Sequence, residues 1–351
     1  YINNIHGIYQ RLLEEAGVVW MPCRGRLLDA RTVQADSGVR LVARHVLVAT
    51  GGHPLRPDIP GAELGGVSDD FFRLCAAPAR VAIVGGGYVA VELAGVLQAL
   101  GSRVELFARG PRLLAEMDGE VVLQLQEDMH QHGVHLHFDS PVHALERDGE
   151  RVRVLHKGTA AASEAFDSVL FATGRRPNSQ GLGLEEAGVR LGEDGAVQVD
   201  AFEDTAVPGI HAVGDVTGKL LLTPVAIAAA RRLMDRLFGG REDARLDYAD
   251  VPTVVFSHPP LGPAGLTEER ARAGHGDAVK CYTARFRPML TALVDSPQRS
   301  LFKLVCVGEE ERVVGIHLLG EAADEILQGF AVALKLGVTK RQLDDTVAIH
   351  P

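Results

Sequence analysis

Cysteine is scarce in this chain: four in 351 residues, Cys23, Cys75, Cys281 and Cys306, far apart and in no C-x-x-C or metal-type spacing. The spacing argues against a cysteine-ligated metal site. It predicts reduced thiols in the cytoplasm, each a small filler of the core. It also leaves no redox-active pair close together. Long apolar runs are missing too: no stretch reaches the roughly eighteen residues that a membrane-spanning helix needs. No basic stretch followed by an apolar run opens the chain, so no signal peptide is read. The first residue is Tyr1 rather than Met, and the true start is expected upstream. Positive charge is not in excess, with 36 Lys and Arg against 46 Asp and Glu and a net charge of -10. The cations are scattered rather than striped, which argues against nucleic acid as a partner. What remains is 46% hydrophobic and 23% charged residues, the balance of an ordinary soluble globular protein. A length of 351 residues exceeds one core and predicts two to three domains.

Residues 1–20 read as a helix, because Ile2, Ile5, Ile8, Leu12 and Leu13 recur at helical spacing. The run Arg44 to Gly52 predicts a buried parallel strand that stops at a ligand-facing Gly-Gly turn. Pro54 to Gly61 carries three prolines and reads as a linker. Val81 to Val84 is then a strand, Gly85 to Ala90 turns into a helix through Leu100, and Arg103 to Ala108 is a second strand. Ser168 to Gly174 repeats the apolar-then-Thr-Gly ending of Val46 to Gly51, as two nucleotide-binding domains in one chain would. After Leu246 the pattern changes. Val251 to Phe256, Phe302 to Val307 and Arg312 to Leu319 read as strands, and Glu321 to Leu336 as an amphipathic helix.

The β-turn-α unit carries the first chemistry. In G-x-G-x-x-A, Gly85 makes the tight turn and Gly87 lets backbone approach a pyrophosphate, while the helix start offers free N–H groups to the anion. Gly86, Val89 and Ala90 complete the motif. The end of the second strand selects the nucleotide. A carboxylate there would hold a ribose 2′-hydroxyl, and cations would hold a 2′-phosphate. This chain has Ala108 and then Arg109, with Arg112 close behind. NADPH is therefore expected, against the plainer reading of a solvated loop arginine.

Gly85 to Gly95 (GGGYVAVELAG), Ala172 to Asn178 (ATGRRPN), His211 to Asp215 (HAVGD), Leu222 to Ala229 (LTPVAIAA) and Val251 to Pro260 (VPTVVFSHPP) stand in that order along the chain. Together they resemble the class I pyridine nucleotide–disulfide oxidoreductases, over essentially the whole length. Within that family the resemblance is closest to the members that reduce glutathione disulfide. It implies an α/β fold with two Rossmann-like nucleotide-binding domains, the FAD one incomplete and the NADPH one complete. A C-terminal α+β dimerisation domain follows. The implied parcels are 1–70 for the FAD domain, 71–180 for the NADPH domain, 181–246 for the return to the FAD and central region, and 247–351 for dimerisation.

The resemblance also implies roles. Tyr88 matches a tyrosine that lies over the flavin and moves aside for nicotinamide. Glu92 matches a glutamate paired with a lysine near the flavin, a partner that a buried carboxylate needs. Arg109 matches the first 2′-phosphate arginine; the second would fall at Ala115, and Arg112 is expected to substitute from another angle. Gly174, Arg175, Leu221 and Val254 match positions near the nicotinamide. For FAD, Asp215 would accept a ribityl hydroxyl, Thr223 opens a helix facing the ring, and Leu27, Thr50 and Gly51 match neighbouring contacts. His350 matches the catalytic base that serves the partner subunit's disulfide in a homodimer. Tyr9 and Arg231 match residues that meet glutathione disulfide.

Two family features are absent from the sequence: the N-terminal FAD fingerprint and the C-x-x-x-x-C disulfide. Without them the chain is expected to be inactive alone, with the relay from NADPH through FAD and the disulfide completed in its parent protein. Two alternatives stay open. One is a lipoamide dehydrogenase or mercuric reductase, of which Met117 to Glu120 is mildly reminiscent; Tyr9, Arg109 and Arg231 argue against both. The other is a non-catalytic flavin- or nucleotide-binding protein.

Overall fold

The structure is a computed structural model that describes residues 2–157, 165–294 and 296–349. The chain forms two compact units, Tyr1–His53 with Arg176–Leu246, and Pro54–Arg175 with Asp247–Pro351. The first begins with helix α1 (Ile2–Glu15). This helix stops short of the predicted residue 20 because Gly17 takes φ +68° and the Val18 N–H turns back to the Leu13 carbonyl. A left-handed glycine just past the last turn is a standard helix stop. Strands β1 (Gly25–Leu27), β2 (Thr32–Ala35) and β3 (Arg40–Val42) then form a small antiparallel sheet in that order. Of the predicted run to Gly52, β4 (Val46–Val48) is strand.

In the second unit five parallel strands lie in the order β5-β12-β6-β7-β8. They are β5 (Gly66–Val67), β6 (Arg80–Val84), β7 (Arg103–Phe107), β8 (His135–His137) and β12 (Ser168–Phe171). Helix α2 (Tyr88–Ala99) follows β6 and buries Ala90, Val91, Leu93, Ala94 and Leu97; α3 (Gly119–Gln131) follows β7. Both pack their apolar faces against Val81, Ile83, Val104 and Leu106 of the sheet. The antiparallel ribbon β9 (Val142–Asp148), β10 (Arg151–His156) and β11 (Ala165–Phe166) lays Leu145, Val152, Val154 and Phe166 on Ala82, Phe107 and Phe171. Fully burying a side chain of this kind contributes roughly 1.5–3 kcal/mol.

One polar residue opposes this core. Asp128 on α3 is 1% exposed; one carboxylate oxygen accepts from Gln124 Nε2 at 3.2 Å, and the other has no partner. Burial pushes its carboxyl up to about 6 from 3.8, and the Gln124 hydrogen bond only partly opposes this. A folded value above the unfolded one means that holding the ion costs stability, fully above about pH 6 and not at all below about pH 4. Asp128→Asn should therefore stabilise the protein by up to about 3 kcal/mol near pH 8, with the gain vanishing near pH 4. Urea midpoints at the two pH values measure this, and equal gains at both would contradict the burial argument.

Strand β13 (Ile210–Ala212) returns the chain to the first unit, where it is wholly buried and pairs in parallel with β4. Helix α4 (Thr223–Phe238) follows. The last third belongs to the second unit: β14 (Leu261–Gly265), α5 (Glu268–His275), β15 (Val279–Phe286), β16 (Ser300–Val307), β17 (Arg312–Leu319), α6 (Ala323–Lys335) and α7 (Lys340–Asp344). Its sheet is antiparallel, in the order β14-β17-β16-β15. Two expectations need correction. Val251 to Phe256 is not a strand: Pro252 cannot donate to a ladder, and Val255 makes only an isolated bridge with Leu261. The cysteines are not all core fillers: Cys306 is buried, but Cys23 and Cys75 sit exposed on loops and Cys281 is half-buried. Among the described residues no helix is long and apolar enough to cross a membrane.

Candidate functional site

In the second unit β6 delivers the chain into Gly85 at φ +146°, where a Cβ would collide with the Ala172 carbonyl. Gly86 is strapped to the far loop, its carbonyl accepting the Leu114 N–H at 2.7 Å. Around Gly87 the space a Cβ would occupy is open. Helix α2 then starts with no side-chain cap on its first N–H groups. An uncapped helix start beside open space at the end of a parallel strand fits a pyrophosphate. Tyr88 is 36% exposed at this start, Val89 is half-buried and Ala90 is buried. One turn on, Glu92 accepts the Phe256 N–H at 3.0 Å. Burial raises its carboxyl above the usual range, and that N–H partly offsets the rise.

At the end of β7, Ala108 is 1% exposed and leaves no carboxylate. Arg109 projects from the exposed surface there. Arg112 donates through Nη2 to the Ala115 carbonyl at 2.7 Å and lies 3.4 Å from Glu269 Oε1. The intervening loop is held on both sides, with the Leu113 N–H donating to Gln126 Oε1 and Leu114 in a left-handed conformation at φ +45°. Gly174 takes φ +133° with open space where a side chain would be, and its carbonyl accepts the Leu55 N–H. Arg175 is half-buried, as is Val254 in the irregular stretch before β14.

Below this loop lies an ion cluster that sequence reading did not anticipate. Lys303 on β16 and Asp118 before α3 have side chains only 2% and 1% exposed and stand 3.0 Å apart. Lys303 also reaches Glu268 at 2.7 Å and Glu120 at 3.2 Å. Two helix starts cap each other around it. Asp118 Oδ2 accepts the Glu268 N–H of α5, and Glu269 Oε1 accepts the Gly119 N–H of α3. Burial opposes the Lys303 charge, but the hydrogen bonds to Glu268 and Asp118 outweigh it and hold the ammonium above its usual range. The same contact brings the Glu268 carboxyl down to about 2. Met117 to Glu120, which hinted at other family members, thus has a structural task.

The first unit holds the other constellation. Thr50 and Gly51 follow β4 and are clasped by Asn178: Thr50 Oγ1 donates to the Asn178 carbonyl at 2.7 Å, Asn178 Nδ2 to the Thr50 carbonyl, and the Asn178 N–H to the Gly51 carbonyl. Asp215 sits in the turn Gly214–Thr217 just past β13, so close that a Cβ on Gly52 would lie 3.5 Å from its Cβ. The paired ends of β4 and β13 therefore bring Thr50, Gly51 and Asp215 together, with open space at Gly51. Leu221 is half-buried in the approach to α4, whose first turn from Thr223 has no side-chain cap. Leu27 is buried, with its N–H bonded to the Leu182 carbonyl. Tyr9 is 63% exposed on α1, and Arg231 is exposed on α4. His350 lies outside the described residues. Asn178 was quoted in the sequence motif but given no role; its clasp on Thr50 spans 128 positions.

A family model described as pyridine nucleotide-disulphide oxidoreductase matches residues 1–230, and the dimerisation domain of the same family matches 251–351. The chain is 42% identical along its whole length to glutathione reductase of Schizosaccharomyces pombe, 78% of which it covers. It is also 42% identical to the chloroplastic/mitochondrial glutathione reductase of Pisum sativum, of whose length it spans 63%. Among solved structures, the HOCl-induced flavoprotein disulfide reductase RclA from Escherichia coli superposes over 95% of this chain and 77% of its own, with a TM-score of 0.86 at 26% identity. The strapped glycine turn, the Thr-Gly strand ending beside Asp215 and the C-terminal antiparallel sheet are thus parts of one known architecture, and the chain belongs to the pyridine nucleotide-disulphide oxidoreductase family.

Proposed function

We propose that this chain forms the nucleotide-binding and dimerisation portion of a homodimeric glutathione reductase, which uses NADPH and FAD to reduce glutathione disulfide to two glutathione. The observation that carries the reading is the pairing of an uncapped helix start at Gly87 with an exposed arginine, and no carboxylate, at the end of the next strand. The identity to glutathione reductases along the whole chain supports it. When bound, FAD supplies an electron carrier between the nicotinamide and a redox disulfide. Thr50, Gly51, Leu27, Asp215 and Thr223 hold that group. Gly85 to Ala90 receive the dinucleotide backbone, Gly174 lies where the chain passes the nicotinamide, and Arg109 with Arg112 meets the 2′-phosphate. Tyr88, Arg175, Leu221 and Val254 border the nicotinamide, Glu92 steadies a cation beside the flavin, and Tyr9 and Arg231 meet the disulfide substrate. The redox cysteines themselves come from outside this sequence, whose four cysteines include no such pair. Two exposed thiols and no disulfide among the described residues suit a reducing compartment, and we assign the enzyme to the cytoplasm.

The test is NADPH oxidation in the full-length enzyme. It should depend on added glutathione disulfide, and no response to that substrate would end the assignment. A charge-assisted hydrogen bond contributes roughly 1.5–3 kcal/mol. Arg109→Glu should therefore cut kcat/KM for NADPH by roughly 10- to 100-fold while leaving NADH use nearly unchanged. Equal losses with both nucleotides would show that Arg109 does not read the 2′-phosphate.

A further inference from the structure

Where the resemblance would place a second 2′-phosphate arginine, this chain has Ala115. The guanidinium of Arg112 lies against the Ala115 carbonyl, held there by Nη2 at 2.7 Å. Its Nη1 faces Glu269, which is in the first turn of α5 within the region matched by the family's dimerisation domain. The oxygen that faces Arg112, Oε1, also accepts the Gly119 N–H at 3.2 Å, so Glu269 is tied to the start of α3 as well as to the arginine. Only glycine allows this approach, since a Cβ at position 119 would stand 2.5 Å from Arg112 Nη1 and 2.7 Å from Glu269 Oε1. The backbone beneath is pinned to the nucleotide turn by the Leu114–Gly86 hydrogen bond. A guanidinium has five donors in a rigid plane. Using two of them to set the plane leaves the others for an incoming phosphate.

We propose that Glu269 is a positioning residue for nucleotide choice: it orients Arg112 toward the 2′-phosphate beside Arg109, so the dimerisation region helps to select NADPH. This rests on the NADPH reading given above. The opposing physics is plain, because a carboxylate that merely neutralised Arg112 would repel a phosphate, and its removal would tighten binding.

Calorimetric titration of the full chain with 2′,5′-ADP and with 5′-AMP separates these cases, since the two probes differ only by the 2′-phosphate. Glu269→Ala should weaken 2′,5′-ADP by about two- to fivefold, the worth of a partly exposed ion pair, and leave 5′-AMP unchanged. In an Arg112→Ala background the same change should add nothing. Unchanged or tighter 2′,5′-ADP binding overturns the inference, as does equal weakening of both probes or a loss that persists without Arg112. Glu269→Gln keeps an oxygen for the Gly119 N–H and carries the test if the alanine variant does not fold; its loss should be smaller but still confined to 2′,5′-ADP. If the unmodified chain binds both probes equally, the NADPH reading itself falls. Sensitivity to Arg109→Glu without sensitivity at Glu269 sinks only the present inference.

Discussion

Replacing His350 by glutamine in the full-length enzyme is expected to lower glutathione disulfide turnover by roughly 100- to 10,000-fold, the usual worth of a positioned general acid–base imidazole. Flavin reduction by NADPH should stay nearly intact, because that half-reaction needs no proton from this side chain. His350 itself lies outside the described residues, but the segment leading to it is informative. Beyond α7, Val347 is 90% exposed and Ile349 fully so, although both are apolar. Among the described residues nothing covers these two, and the reading of a shared site has such a tail complete its burial on a second subunit. The proposal places His350 in the partner's site. Mixing His350→Gln subunits with subunits lacking the redox cysteines should then restore some activity, since half of the sites in each hybrid combine both intact parts. Subunits that demonstrably exchange without recovering activity would refute the shared site.

Lys303→Met is expected to destabilise the fold by about 3–5 kcal/mol, the range for removing one partner of a buried ion cluster. Among the described residues the ammonium is the only cation within hydrogen-bond reach of both Asp118 and Glu268, and it is 2% exposed. Its removal leaves a buried carboxylate and two half-exposed ones facing each other. The pH dependence gives a second check. The folded Glu268 carboxyl titrates at about 2 against an ordinary 4.5. Its stabilising contribution is therefore complete above about pH 4.5 and is lost as pH falls toward about 2. The gap between Lys303→Met and the unmodified protein should narrow over that window, and Asp118→Asn with Glu268→Gln should recover part of it. A loss under about 1 kcal/mol at neutral pH would mean that water, not Lys303, satisfies these groups.

The fold class was legible because its signals are local. An apolar strand, a glycine turn and an amphipathic helix lie within Arg80 to Ala99, and the Thr-Gly strand endings repeat the cue. Sequence reading failed where partners are distant or where one residue overrides a pattern. Val251 to Phe256 has the composition of a strand, yet its pairing with β14 stops at the bonds of Thr253 and Val255, and Pro252 withholds a donor. Lys303 shares one face of β16 with the buried Leu301 and Val305, so alternation places it in the core without saying what meets its charge. Its first partner, Asp118, is 185 positions earlier, and no periodicity reports that. Arg112 could be named from its neighbourhood, whereas Glu269, 157 positions on, could not. The Asn178 clasp on Thr50 escaped for the same reason.

The mutual capping of α3 and α5 sets an order of events during synthesis. The ribosome makes the nucleotide half of this unit first, and Asp118 emerges with no ammonium to face and α3 with an open first turn. Thr267 to Lys303 follow only after the chain has left this unit, built β13 and α4, and come back. Until then the nascent parallel sheet carries an unneutralised carboxylate at the foot of the loop that follows β7. Chains normally complete one domain before starting the next. Here the earlier part closes on the later one, so a ribosome paused before β16 would display a nucleotide fold that is formed in outline and still unlocked.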